Sequence, residues 1–248
     1  MKNIILLCDF RDHYAKQALK HLLKIKYIKI LCVVTLKKCK GIKIRLPKKV
    51  QLFYQGFPEK NEKLNNFINE NKINLCISLG WPNTIKVNFI KKFKDGIVNI
   101  HPGLLPEQKG AHTTFYNIIF NRKYHGSTLH FINKYIDSGP IIYTSRFKST
   151  VFDDANYVFH KSRKSGFELF KKRLKSLIKK NYKTKKNTKT KIYKKGDIKK
   201  FDTILLKKDY KGIDFWNLIR ATNFGDNGIF FKVKKKKFKV ISKIKEVK

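Results

Sequence analysis

The chain has 248 residues and carries 58 Lys plus Arg against 17 Asp plus Glu, a formal net charge of +41. This length suits one sizeable domain with a smaller appendage, or one large domain. Hydrophobic residues at 42% and aromatic residues at 13% are enough to bury a core, which excludes wholesale disorder. The charge has two readings. A polyanion such as tRNA could be held through its phosphates. An A/T-rich coding sequence would also give many Lys, Ile, Asn, Phe and Tyr. A protein built to grip phosphate more often uses Arg, whose planar fork matches the oxygens. Here Lys predominates and is spread along the whole chain, so coding bias accounts for most of the charge.

The N-terminus has a short apolar run that soon meets Asp9, Arg11 and Asp12. It is too short for a signal peptide, and no apolar stretch reaches membrane-spanning length. The four cysteines, Cys8, Cys32, Cys39 and Cys76, form no C-x-x-C pair. Three of them lie in apolar runs, as expected for free core thiols in a reducing cytosol. The expected location is therefore cytoplasmic, with no membrane partner.

Taken in order, residues 3–8 form an apolar run that reads as a buried strand, and 15–25 carry apolar residues at helical spacing. Residues 28–35 and 50–54 read as strands, 62–71 as a helix, 74–79 as a strand, 85–93 as a short helix and 96–101 as a fifth strand. Strands alternating with helices argue for a parallel sheet covered on both faces. After a Pro/Gly loop at 102–110, the pattern gives a helix at 111–120 and strands at 127–132 and 141–147. A long helix follows at 153–180, with Asp153 or Asp154 as its cap. Residues 181–191 are nearly all Lys, Thr and Asn and read as an exposed linker. Beyond it lie a helix at 215–221, a turn at 225–228 and a closing hairpin from 229–233 and 238–244.

Chemistry in such sheets sits outside the carboxyl ends of the strands. There, Asn99 and His101 alternate onto one side, with Ile100 on the other. Both can donate to a carbonyl oxygen that turns negative. Spacing alone leaves it equally open that they merely cap the loop, and that Asp137, before Ser-Gly-Pro, is an ordinary turn residue. No pair among His112, His125, His130 and His160 has metal-ligand spacing with carboxylates, so no metal is expected.

The stretch Asn99-Ile-His-Pro-Gly-Leu-Leu-Pro106, then Gly110, Gly126-Ser-Thr-Leu-His130 and Ile136-Asp-Ser-Gly-Pro140 resembles the folate-dependent formyltransferases. The likeness is good over about 74–145 and weak in the flanks. It implies a Rossmann-like α/β fold: a mixed, mostly parallel sheet with helices on both faces. It also implies a catalytic domain at 1–180, a basic linker at 181–191 and a small C-terminal α+β appendage at 192–248. The implied reaction moves a formyl group from 10-formyltetrahydrofolate to a primary amine. Asn99 and His101 would hold the formyl oxygen, and Asp137 would pair with His101 and help deprotonate the amine. Trp81, Asn83, Thr84 and Ile85 would line the pterin pocket, Leu104, Leu105 and Pro106 its wall near the formyl group, and Asn133 and Ile136 its far side.

The resemblance leaves the acceptor open. Glycinamide ribonucleotide is disfavoured, because 8–13 is not a Gly/Ser-rich phosphate cradle. Initiator methionyl-tRNA is suggested by the charge, but the Arg-Trp-Arg-Gly-like loop is missing. An amino-sugar nucleotide or other small amine suits the 110–116, 126–130 and 193–222 segments better. Rivals from other classes are a formyltetrahydrofolate hydrolase and a non-catalytic RNA-binding relative.

Overall fold

The computed structural model describes residues 1–201, 203–205, 209–223, 228–233 and 236–240. Its core is β1 (Lys2–Cys8), an apolar run with Ile4 through Cys8 wholly buried. Burial on both faces is what a central parallel strand requires. The strand leads into α1 (His13–Leu22), where Asp12 Oδ1 accepts from Ala15 N at 2.9 Å and caps the first turn. Then come β2 (Ile28–Thr35), β3 (Gln51–Tyr54), α2 (Glu62–Glu70), β4 (Leu75–Leu79), the short α3 (Val87–Ile90) and β5 (Ile97–His101).

The order then changes hand. β6 (Lys109–Gly110) leaves the main sheet, α4 (Thr113–Ile119) follows, and β7 (Tyr124–Phe131) and β8 (Ile141–Lys148) return to it. The seven-stranded sheet runs β3-β2-β1-β4-β5-β7-β8. The pairings among β1 to β5 are parallel, while β5–β7 and β7–β8 are antiparallel. This is the mixed, mostly parallel sheet expected. α1 and the 24-residue α5 (Ala155–Ile178) cover one face, with Phe170, Leu174 and Leu177 facing the sheet. The other face is covered by α2 and by Phe89 and Phe93. Chain order reverses between β1 and β4, so the switch point lies at the carboxyl ends of those two strands, with β5 next to them.

Two expectations shift on folding. The helix read at 85–93 shrinks to the single turn of α3. Residues 181–191 are mostly exposed, as expected of a linker, but they lie against the domain: Lys185 bridges Ile141 of β8. The chain then forms β9 (Ile192–Tyr193), which pairs in parallel with β6. β10 (Thr203–Ile204), β11 (Ile229–Val233) and β12 (Lys236–Val240) make a three-stranded sheet beside α6 (Gly212–Thr222). The expected hairpin is the antiparallel pair β11–β12. Residues 241–244 of that expectation, and 225–227 of the expected turn, lie outside the described residues.

Residues 192–222 share a core with the larger unit. Tyr193 and Ala221 pack with Phe115, Tyr116, Ala155 and Val158. The Tyr116 ring stacks on Tyr193 at 4.3 Å, and its hydroxyl donates to Lys194 O. All four cysteines are free and buried, and no described helix is long and apolar enough to cross a membrane.

Tyr116→Ala should therefore cost roughly 3 kcal/mol of stability through the cavity it leaves. It should also expose the 181–195 segment to protease, which limited digestion against the native chain would read. An unchanged digestion pattern would contradict the shared core.

Candidate functional site

The site is built where β5 ends. The β5–β7 register sets Asn99 opposite His130 and His101 opposite Thr128. Asn99 and His101 point to one side of the sheet, as their alternation requires. The turn after β7 brings Asp137 back against them: Asp137 Oδ2 lies 3.5 Å from His101 Nδ1, and Asp137 Oδ1 lies 3.7 Å from His130 Nε2. The three residues singled out in the sequence thus meet, joined by a fourth, His130, that spacing alone did not assign.

Hydrogen-bond partners fix the ring protons. His130 Nδ1 donates to Phe131 O at 2.8 Å, so its Nε2 is free to accept from Asn99 Nδ2 at 3.2 Å. His130 is therefore neutral. Burial, reinforced by the neighbouring His101, pushes its pKa down to about 4. With one Nδ2 hydrogen committed to His130, Asn99 keeps its second Nδ2 hydrogen for another acceptor. His101 Nε2 donates to Gln108 O at 2.6 Å, which leaves Nδ1 as the ring atom facing Asp137.

The loop that follows is clamped from two sides. Thr128 Oγ1 donates to Gly103 O at 2.7 Å and accepts from Leu105 N at 3.1 Å. Gln108 Oε1 accepts from Leu104 N at 2.8 Å. Residue 103 must be glycine, because a Cβ there would sit 2.7 Å from His101 Nε2 and 2.9 Å from Gln108 O. Asp137 is held in the left-handed region at φ 45°. Its Oδ2 accepts from Gly110 N at 2.8 Å.

The residues expected to line a pterin pocket distribute as follows. Trp81 is half-buried, and its indole N–H is buried without a partner. Asn83 Nδ2 donates to Gly56 O at 2.8 Å, tying its loop to the turn after β3. Thr84 is exposed. The side chain of Ile85 goes into the core with Phe89 and Phe93, because a β-branched apolar residue at the loop end is drawn under the sheet. Only its backbone is left for a ligand. Leu104 and Pro106 are half-buried and Leu105 is buried. Asn133 Oδ1 accepts from Tyr135 N at 3.0 Å, and Ile136 is exposed beside Asp137.

Sequence reasoning missed Gln108, Lys109 and Asn187, and gave Gly110 no role beyond its place in the motif set; Gly110 N bonds Asp137 Oδ2. Lys109 is buried, a rare state for Lys, yet nothing in a Lys-rich sequence marks it out. A small pocket opens on the other face of the sheet, lined by Tyr14, Ala18, Ile100, Ser127, Arg163 and Phe167 among others. Arg163 pairs there with Asp12. Among the described residues no group of His, Cys, Asp and Glu could hold a metal ion.

A family model described as formyl transferase matches residues 13–174. Phosphoribosylglycinamide formyltransferase of Haemophilus influenzae is 25% identical over 112 residues, covering 45% of this chain and 53% of its own. The chain thus spans about half the length of that relative. A sugar N-formyltransferase from Shewanella sp FDAARGOS_354 superposes with a TM-score of 0.80 and covers 100% of both chains; at 21% identity this likeness speaks to the fold alone. WlaRD, a sugar 3N-formyl transferase solved in the presence of dTDP and 5-N-formyl-THF, superposes with a TM-score of 0.68 at 26% identity, over 93% of this chain and 85% of its own.

His125 and His130 are both held by burial at a pKa of about 4, against about 6.5 in an unfolded chain. Between those values the unfolded chain binds more protons than the folded one. Stability is therefore complete above about pH 6.5 and falls as pH drops toward 4. The loss should be on the order of 3 kcal/mol for each histidine. Urea unfolding at successive pH values would read it, and His125→Leu should flatten the profile. A native chain equally stable at about pH 7.5 and about pH 5 would rule out the buried neutral pair.

Proposed function

The chain belongs to the formyl transferase family, and from that premise we propose that it carries a formyl group from 10-formyltetrahydrofolate to a primary amine on an amino-sugar nucleotide. The observation that carries this reading is the convergence of Asn99, His101 and Asp137 at one strand end, with Nδ1 of His101 and Oδ2 of Asp137 3.5 Å apart. Transfer forms a bond from the amine nitrogen to the formyl carbon and breaks the bond from that carbon to N10 of the folate. One proton leaves the amine and one reaches N10. Between these events, negative charge gathers on the formyl oxygen. The free Nδ2 hydrogen of Asn99 donates to that oxygen, and the His101 ring, with Nδ1 turned to Asp137, is the second group of the pair beside it. Asp137 takes up the amine proton, directly or through water.

The folate is the first substrate. Trp81 offers an unpartnered buried donor to a heterocycle. The backbone of 83–85, steadied by the bond from Asn83 to Gly56, lies beside it, and Leu104, Leu105 and Pro106 wall the formyl end. Asn133 and Ile136 close the side that bears Asp137.

Two observations support the amino-sugar acceptor. The likeness to the sugar 3N-formyl transferase WlaRD, at 26% identity, runs over 93% of this chain. The end of α1, where a helix could receive a phosphate monoester, is filled by the chain's own Asp12, which caps the helix and pairs with Arg163. That argues against a glycinamide-ribonucleotide acceptor. The net charge of +41 favours a second reading, in which initiator methionyl-tRNA is the acceptor.

The test offers 10-formyltetrahydrofolate with 4-amino-dideoxy sugar nucleotides and with initiator methionyl-tRNA in parallel. Formylation of a sugar nucleotide is expected, with a shallow salt dependence; a steep one, with tRNA formylated, selects the second reading. Asn99→Ala, His101→Ala and Asp137→Ala should each cut turnover by roughly 10²- to 10⁴-fold, and pairs of them little further, since they act on one transition state. If neither acceptor is formylated and His101→Ala leaves folate turnover unchanged, the enzyme reading fails.

A further inference from the structure

Three consecutive residues tie the site together. Gln108 O holds His101 Nε2 at 2.6 Å, and Gly110 N holds Asp137 Oδ2 at 2.8 Å. Between them, Lys109 sends its ammonium inward. Lys109 Nζ donates to Ser138 Oγ at 3.1 Å, next to Asp137, and to Thr188 O at 2.8 Å, far along the chain. Only 1% of Lys109 is exposed. Burial draws its pKa below the usual lysine value, while the charge of Asp137 pulls it back up. A buried ammonium persists only where its donors find partners, and here the partners, Ser138 and Thr188, belong to two segments far apart along the chain.

The second segment reaches the same turn on its own. Asn187 Nδ2 donates to Asp137 O and to Gly139 O, each at 2.9 Å. Its Oδ1 is buried without a partner, so what the amide contributes lies in those two donations. Residues on either side fasten the segment down: Lys185 pairs with Ile141, and Thr190 Oγ1 donates to Pro106 O. β9 then joins β6. A Cβ at residue 110 would sit 2.1 Å from Tyr193 O, so this close approach requires Gly110.

We propose that Lys109 and Asn187 are positioning residues for Asp137, and that residues 185–190 form a strap fixing the proton acceptor of the site. The proposal rests on the formyl-transfer reading. Asp137 has a left-handed backbone that a non-glycine residue adopts at a cost. Its carboxylate is useful only if that conformation persists, and the strap bonds the carbonyl of Asp137 itself. Lys109 adds a positive charge beside the carboxylate and couples the turn to the strap. The strap thus acts on the reacting groups through Asp137 and touches no substrate.

The experiment uses Lys109→Met, an unbranched side chain one atom shorter and without the charge, and Asn187→Ala, which removes both donations. Each should lower kcat about 10- to 100-fold, as expected when a reacting group is misplaced by about an ångström. KM for both substrates should stay close to that of the native chain. Hydrogen–deuterium exchange should rise in 133–140 and not in β1 or β4. Should Lys109→Met fail to fold, Asn187→Ala decides on both readouts. Native kcat in the folded variants, or a kcat loss with exchange in 133–140 unchanged, would overturn the proposal. If the native chain formylates no amine, the reading of the reaction fails, and exchange in 133–140 still tests the strap.

Discussion

The short parallel pairing of Lys109–Gly110 with Ile192–Tyr193 holds the site in place. It is two residues long, yet the residues around it bond His101, Asp137 and the strap. A polar group brought into a site of this kind must find its partners there, since unpaired buried groups are costly. The chain meets that demand by returning after α5 to the edge of the loop that follows β5. The Tyr116–Tyr193 stack then fixes the return on the apolar side. The pairing fixes Gly110, whose N–H holds the Asp137 carboxylate, while Gln108 is held by Leu104 and Tyr124 as well.

The electrostatics follow from burial. His130 sits so deep that it stays neutral, which makes its Nε2 an acceptor and turns the Asn99 amide so that its nitrogen faces inward. A charged His130 would donate from both nitrogens, lose Asn99 as a donor and compete with His101 for Asp137. Two histidines 6.1 Å apart therefore divide their roles by environment: one is locked neutral, and the other has Nδ1 against a carboxylate. The same logic applies on the far face, where the Arg163–Asp12 pair fills the end of α1.

Much of the fold could be read along the chain. The wholly apolar runs of β1 and β4, the helical spacing of α1 and the Asp cap before α5 are local signals, and each element formed near where it was expected. The helix at 85–93 was over-read because Ile85, Phe89 and Phe93 repeat at helical spacing; that repeat reflects a loop and one turn draped over the sheet. The candidate site was half legible. Asn99 and His101 share a strand, so alternation paired them. Asp137 is 36 residues beyond His101 in the numbering, and only likeness to a family linked it to them before the register of β5 with β7 did so in space.

By itself, then, the sequence determined an α/β sheet, its strand positions and one strand end bearing an amide and an imidazole, because periodicity and strand alternation are properties of neighbours along the chain. Tertiary structure decided that His130 is neutral, that Lys109 is buried and that a Lys-rich stretch read as an exposed linker is tied to the Asp137 turn. Those facts depend on which distant backbone carbonyls come within hydrogen-bond reach, and long-range return of the chain leaves no mark on local spacing. Asn187 and Lys109 look like any other residues of a very basic protein until the fold gives them Asp137, Ser138 and Thr188 as neighbours.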